Sequence, residues 1–205
     1  MRTKVLMSAV TALVITGTAF AQESVGAGRF EIGAFPGGGM FFTASTNGNE
    51  PAFGNYALAA SFTVNINRWV GVEGEGGGTI GVRQNFTMGS IDFADHKTPG
   101  MWGYNGNVVV HPAGSDRAIV PYATAGVGGL VMSPTEGADS LGVLAHEAYL
   151  TGNVGGGLKW FSNERWGLRA DYRFFIVKNK DNAPLFFGNE NRYGHRVQGG
   201  LVFTY

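Results

Sequence analysis

The sequence predicts an all-β fold, an eight-stranded antiparallel up-and-down barrel that crosses a membrane. Three observations carry that prediction. Glycine supplies 34 of 205 residues and aromatics 13%, while charged residues reach only 15%; ordinary shares are ~7% glycine and ~25% charged. Apolar and polar residues alternate with period two along eight segments. The connectors between those segments alternate short and long. The same composition excludes other classes. With no cysteine, a disulfide scaffold or a thiolate metal site is impossible. An all-helical chain is disfavoured, because interior glycine costs a helix up to ~1 kcal/mol each. A hydrophobic share of 44% with zero formal charge argues against disorder and against a basic nucleic-acid surface.

Residues 1–21 read as a cleaved secretory signal peptide, which leaves residues 22–205 as the barrel domain. Arg2 and Lys4 make the start positive, Val5 to Ile15 is mostly apolar, and Ala19-Phe20-Ala21 fits a small-x-small cleavage site. The apolar run is too short to span ~30 Å as a helix.

The strand segments follow in order. Arg29 to Phe35 sets Phe30, Ile32 and Ala34 against Arg29 and Glu31. Asn55 to Ile66 is the cleanest: Tyr56, Leu58, Ala60, Phe62, Val64 and Ile66 share one face. Val70 to Gly76 sets Val70 and Val72 against Glu73 and Glu75, and Trp102 to Pro112 sets Trp102, Tyr104, Val108 and Val110 against Asn105, Asn107 and His111. Val120 to Leu130 carries small residues, with Pro121 confined to its start or to a bulge. Leu150 to Trp160 sets Leu150, Val154, Leu158 and Trp160 against Thr151, Asn153 and Lys159. Trp166 to Phe175 sets Trp166, Leu168, Ala170, Tyr172 and Phe174 against Arg169, Asp171 and Arg173. The last segment sets Val197, Gly199, Leu201, Phe203 and Tyr205 against Arg196 and Gln198. The short connectors are Asn67 to Trp69, Ala113 to Ala118 and Phe161 to Arg165. The long ones are Gly37 to Gly54, Gly77 to Met101, Val131 to Tyr149 and Ile176 to His195.

The polarity of the two faces chooses between barrel types. A soluble barrel would be apolar inside. Here one face carries large aromatics and the other carries charges of both signs, and charge against lipid is costly. The charged face therefore looks into the lumen, and the sheet closes because every amide in hydrocarbon needs a partner. Arg29, Glu31, Glu73, Glu75, Lys159, Arg169, Asp171, Arg173 and Arg196 form the expected lumen charge network. An interior of this size is filled by side chains, so the network reads as a plug, with a gated narrow pore as the alternative. Trp69 has inward parity and is expected instead in a turn or beside a bulge, with its ring in an interfacial aromatic belt with Trp160 and Trp166.

Three stretches (Asn67 to Glu75, Pro121 to Gly128, and Gly157 to Trp160 continuing through Arg165 to Arg173), together with the ending Gly199 to Tyr205, resemble the OmpA-like outer-membrane β-barrel family. The resemblance covers the whole chain after the leader. It implies a bacterial outer-membrane location, contact with outer-membrane lipid and lipopolysaccharide, and recognition of the C-terminal strand by the barrel-assembly machinery, with Tyr205, Phe203 and Leu201 as the insertion signal. No periplasmic peptidoglycan-binding domain is expected after Tyr205, and the protein is expected to be a monomer without nucleic-acid partners.

Chemistry is sparse. His96 near Asp92 and Asp95, and His146 beside Glu147, lack defined ligand spacing, so no metal and no cofactor is expected. His195-Arg196-Val197-Gln198 departs from the His-x-Ser-Asn type motif of lipid A deacylases, and Ser90, Ser133 and Ser140 have no histidine at a useful spacing; the chain is read as no enzyme. His111 is expected to cap the lower end of a strand. Met40-Phe41-Phe42 and Leu185-Phe186-Phe187 read as strand extensions above the bilayer, with partner contact as the alternative. The expected role is structural, an envelope component presenting loops. A narrow porin-like channel for small solutes and a surface adhesion or recognition protein are the alternatives.

Overall fold

The computed structural model describes residues 26–46, 49–134, 143, 145–181, 183–184 and 186–205. The leader expected over 1–21 lies outside them. The strands are β1 (Phe30–Phe42), β2 (Phe53–Asn65), β3 (Val70–Gly81), β4 (Arg83–Met88), β5 (Ile91–Lys97), β6 (Gly100–Val110), β7 (Ile119–Ser133), β8 (Glu147–Phe161), β9 (Trp166–Val177) and β10 (Arg192–Thr204). Eight of them close a barrel in the order β1-β10-β9-β8-β7-β6-β3-β2, and β4-β5 is a separate hairpin. Closure is visible at Ile32, which faces Phe62 of β2 on one side and Phe203 of β10 on the other. All neighbours run antiparallel.

Local chemistry places the breaks. Asn67 and Asn163 open two of the three short turns in the same way. Each side-chain Oδ1 accepts two backbone N–H groups, from Trp69 at 2.8 Å and Val70 at 2.9 Å, and from Arg165 at 2.8 Å and Trp166 at 3.1 Å. Trp69 therefore sits in a turn, exposed, with the Arg68 guanidinium 4.8 Å from its ring centre. Pro36 has no N–H to give a ladder, and β1 shifts register on both sides around it, between Ala34 and Gly37 towards β10 and between Phe35 and Gly39 towards β2. Pro121 lies at the start of β7, below the point where pairing with β6 begins at Ala123, so its missing donor costs nothing on that side.

Strand positions alternate between buried and exposed. Phe62, Val72, Val108, Leu158, Leu168 and Leu201 are among the exposed outer residues, while Glu31, Glu73, Lys159, Arg169 and Arg173 are buried inside. The barrel strands extend further at the long-loop rim than the period-two pattern predicts. β1 continues through Gly37–Phe42, and the segment expected as a loop from Gly77 to Met101 contains the end of β3, the β4-β5 hairpin and the start of β6. Gly89, at φ +61, takes the first position of the hairpin's two-residue turn.

Tight wall packing makes two glycines opposite in tolerance. A Cβ on Gly157 would collide with the carbonyl oxygen of Ala170 on β9, whereas one on Gly74 would meet nothing within 4 Å. Gly157→Ala is expected to lower the folded fraction after refolding in detergent, read as heat-dependent gel mobility, and Gly74→Ala to leave it unchanged.

Candidate functional site

The chemistry is inside the barrel, and it is stacked in two layers. The lower layer is ionic. Glu31 of β1 takes the Lys159 ammonium of β8 on both oxygens, at 2.9 and 2.7 Å. Asn65 Nδ2 donates to the same carboxylate at 2.6 Å, and His111 Nε2 lies 3.4 Å from the ammonium at the short-turn rim. Glu73 of β3 takes Arg169 at 2.6 Å and Arg173 at 2.7 Å, both from β9. Asp171 sits between the same two arginines, at 3.1 and 3.0 Å, and accepts the Tyr122 hydroxyl at 2.6 Å. Glu75 joins Arg173 at 3.2 Å to Arg196 of β10 at 2.8 Å. Four carboxylates thus meet four cations, all with side chains no more than 8% exposed. The set is neutral, which is what a buried assembly of full charges requires. Asn105, Asn107 and Asn153 add neutral hydrogen bonds from β6 to β8.

Eight of the nine residues expected in this network are in it. Arg29 is not. It precedes β1, is exposed, and its guanidinium lies 5.5 Å from the Phe30 ring. Its parity is right, but it stands beyond the rim where its charge keeps its water, and Lys159 already neutralises Glu31. The expected belt residues Trp69, Trp160 and Trp166 are exposed at the short-turn rim, as are Leu201, Phe203 and Tyr205 on the outer face of the final strand and its end.

The upper layer is apolar, a feature the period-two pattern does not predict. Above the ions the inward positions become Met40, Phe42, Phe53, Met101, Met132 and Phe175, packed in one core with Phe86, Phe186 and Phe187. Phe186 lies 4.6 Å from Phe53 and Phe187 lies 5.4 Å from Phe42 and 4.8 Å from Tyr149, ring centre to ring centre. Met40 and Phe42 are a strand extension, as expected, but Phe186 and Phe187 fold down from the 178–191 loop into the barrel mouth; Leu185 lies outside the described residues. Arg192 of β10 ties this loop to the 43–52 loop. Fully buried, it donates to the carbonyls of Phe186 and Phe187 at 3.3 Å each, Thr43 at 2.9 Å and Pro51 at 2.6 Å. Its clue in the sequence is parity: it is four residues before Arg196 and faces the same way. A cavity of about 30 Å³ lies where the layers meet, lined by Glu75, Arg196, Met40, Met101, Leu130 and Phe175 among others, room for a water or two.

A closed antiparallel barrel, greasy outside and ionic within, defines an integral membrane protein of the outer-membrane type. The chain matches the model of the outer membrane protein beta-barrel domain over residues 7–203 and belongs to that family. Its location is the bacterial outer membrane. Solved structures share the fold at low identity. Neisserial surface protein A is 12% identical with a TM-score of 0.60, covering 88% of this chain and 99% of its own. The N-terminal β-barrel domain of Pseudomonas aeruginosa OprF is 15% identical with a TM-score of 0.52, covering 89% and 100%. The P. aeruginosa outer membrane protein OprG is 15% identical with a TM-score of 0.51, covering 88% and 97%. No curated protein matches.

Removing one member of a buried ion set strands its partners and costs about 3–5 kcal/mol. Glu73→Gln is therefore expected to lower the urea midpoint of the refolded barrel. Arg192→Leu is expected to leave that midpoint closer to wild type but to speed proteolytic cutting within residues 178–191 by at least about tenfold, the worth of one of its four charge-assisted bonds.

Proposed function

We propose that this protein is a structural component of the outer membrane, with a lumen stopped by side chains and a folded cap of loops on the outside. The carrying observation is the pairing of four carboxylates with four cations directly beneath an apolar core. An ion-selective pore works by leaving charge uncompensated along a wet path. Here the cations and carboxylates are spent on one another, and the layer above them offers hydrocarbon instead of water. The role is one of envelope integrity and surface presentation rather than catalysis. Export uses the leader expected over 1–21. Insertion by the barrel-assembly machinery uses Tyr205, Phe203 and Leu201, and the barrel works as a monomer.

Conductance tests the reading. Purified wild-type protein in planar bilayers is expected to give no steady openings, and Arg169→Ala, which removes the cation shared by Glu73 and Asp171, is expected to give frequent ones. Wide, steady wild-type channels would establish the narrow-pore alternative instead.

A further inference from the structure

The outer wall of the barrel is almost free of polar groups. Away from the strand ends, its outward side chains are aliphatic or aromatic, or the positions are glycine, alanine or proline, and among the described residues the only hydrogen-bonding groups on it are those of tyrosine and tryptophan, with one exception. The exception is His195, on β10 opposite Phe174 of β9 and Phe41 of β1. It is fixed in place. Its Nδ1 lies 2.9 Å from the Tyr172 hydroxyl, and its ring centre is 5.2 Å from that of Phe174, which stacks on Tyr193 at 5.9 Å.

An imidazole on a lipid-facing wall is costly unless both nitrogens are used. Tyr172 serves only Nδ1. With that hydroxyl donating, the proton resides on Nε2, and Nε2 has no partner among the described residues. Its height supplies one. His195 is three residues from the loop end of β10, with Tyr193 two residues above it and Tyr172 facing Val197 two residues below, the level at which aromatic belts meet headgroups. Lys178, the residue after β9, is exposed, continues the ladder by donating its N–H to Leu150, has the outward parity of Phe174 and Ile176, and forms no ion pair among the described residues. It stands four residues beyond Phe174, about 13 Å along the strand, a gap that a long ammonium side chain and one bound anion can close.

We propose that His195, oriented by Tyr172, and Lys178 form a lipid site on the outer wall that takes the phosphate monoester of an outer-leaflet glycolipid. A cation and a second donor on one face of the wall favour a group carrying close to two negative charges over a diester carrying one. The site depends on the outward face meeting the outer leaflet and not on the state of the lumen, so a conducting barrel leaves it standing.

Native mass spectrometry of the purified full chain tests it, with monophosphorylated lipid A, its dephosphorylated form and phosphatidylglycerol as probes. Wild type is expected to retain the phosphorylated glycolipid about tenfold better than either other lipid, the worth of one charge-assisted hydrogen bond. His195→Phe, which keeps the ring stack, and Lys178→Ala, which keeps the backbone N–H bonded to Leu150, are each expected to lose most of that preference; Tyr104→Phe, on another part of the wall, is expected to keep it. Gel mobility establishes that each variant is folded. Equal retention of all three lipids by wild type, or a preference unchanged in both His195→Phe and Lys178→Ala, overturns the site.

Discussion

Within hydrocarbon a peptide group has only another peptide group to bond with, and this chain answers by making β1 a neighbour of both β2 and β10. Everything else about the molecule is conditioned by that ring. Once the sheet is closed, alternate side chains have only two destinations, lipid or lumen. The residues with inward parity on β3 and β9 carry Glu73, Glu75, Arg169, Asp171 and Arg173, and on so narrow a barrel they meet across the lumen. Charge that would be intolerable on the outside becomes, on the inside, the means by which strands far apart in sequence are fixed to one another.

The ionic layer also explains why the interior tolerates so much glycine. Arginine side chains reach across the lumen only where the facing wall leaves room. Arg173 and Asp171 come from β9, and the neighbouring β8 sets the inward glycines Gly155 and Gly157 directly opposite them. The contacts end up distributed over β1, β3, β8, β9 and β10. A set built this way stabilises register as well as closure, because sliding one strand by a residue would turn its charges towards lipid.

The parts of the fold that were legible in the sequence are those where the two environments differ most. From Tyr56 to Val64 the lipid side is large and apolar and the inward side is alanine, serine and threonine, and from Trp166 to Phe174 the inward side is mostly ions, so period two is clean and the strands are read correctly. At the loop rim that contrast vanishes. Met40 and Phe42 point in while Phe41 points out, and all three are apolar; Phe175 and Ile176 blur β9 in the same way. Alternation disappears, and a continuing strand looks like a loop. The hairpin β4-β5 was hidden for a related reason: its Gly89-Ser90 turn is a weak local signal, and its pattern mixes charged with apolar residues. Within the site, parity found the members of the ionic layer but could not say that β1 starts one residue after Arg29. It did not reach Arg192, because a segment read as loop has no parity to count.

The change of interior polarity with height follows from where solvent is excluded. A membrane strand needs ~9–11 residues, and β1, β7, β8 and β10 have 13 to 15. The surplus lies at the loop rim, above the ionic layer, where inward positions are free to bury apolar surface against the loops. There the barrel obeys the ordinary rule for soluble proteins, and Phe186 and Phe187 complete an aromatic core that the strands alone leave open. Arg192 is the hinge between the two regimes. A charged side chain with no carboxylate bonded to it among the described residues, it directs its donors at loop carbonyls, so backbone dipoles do for the cap what glutamates do for the layer below.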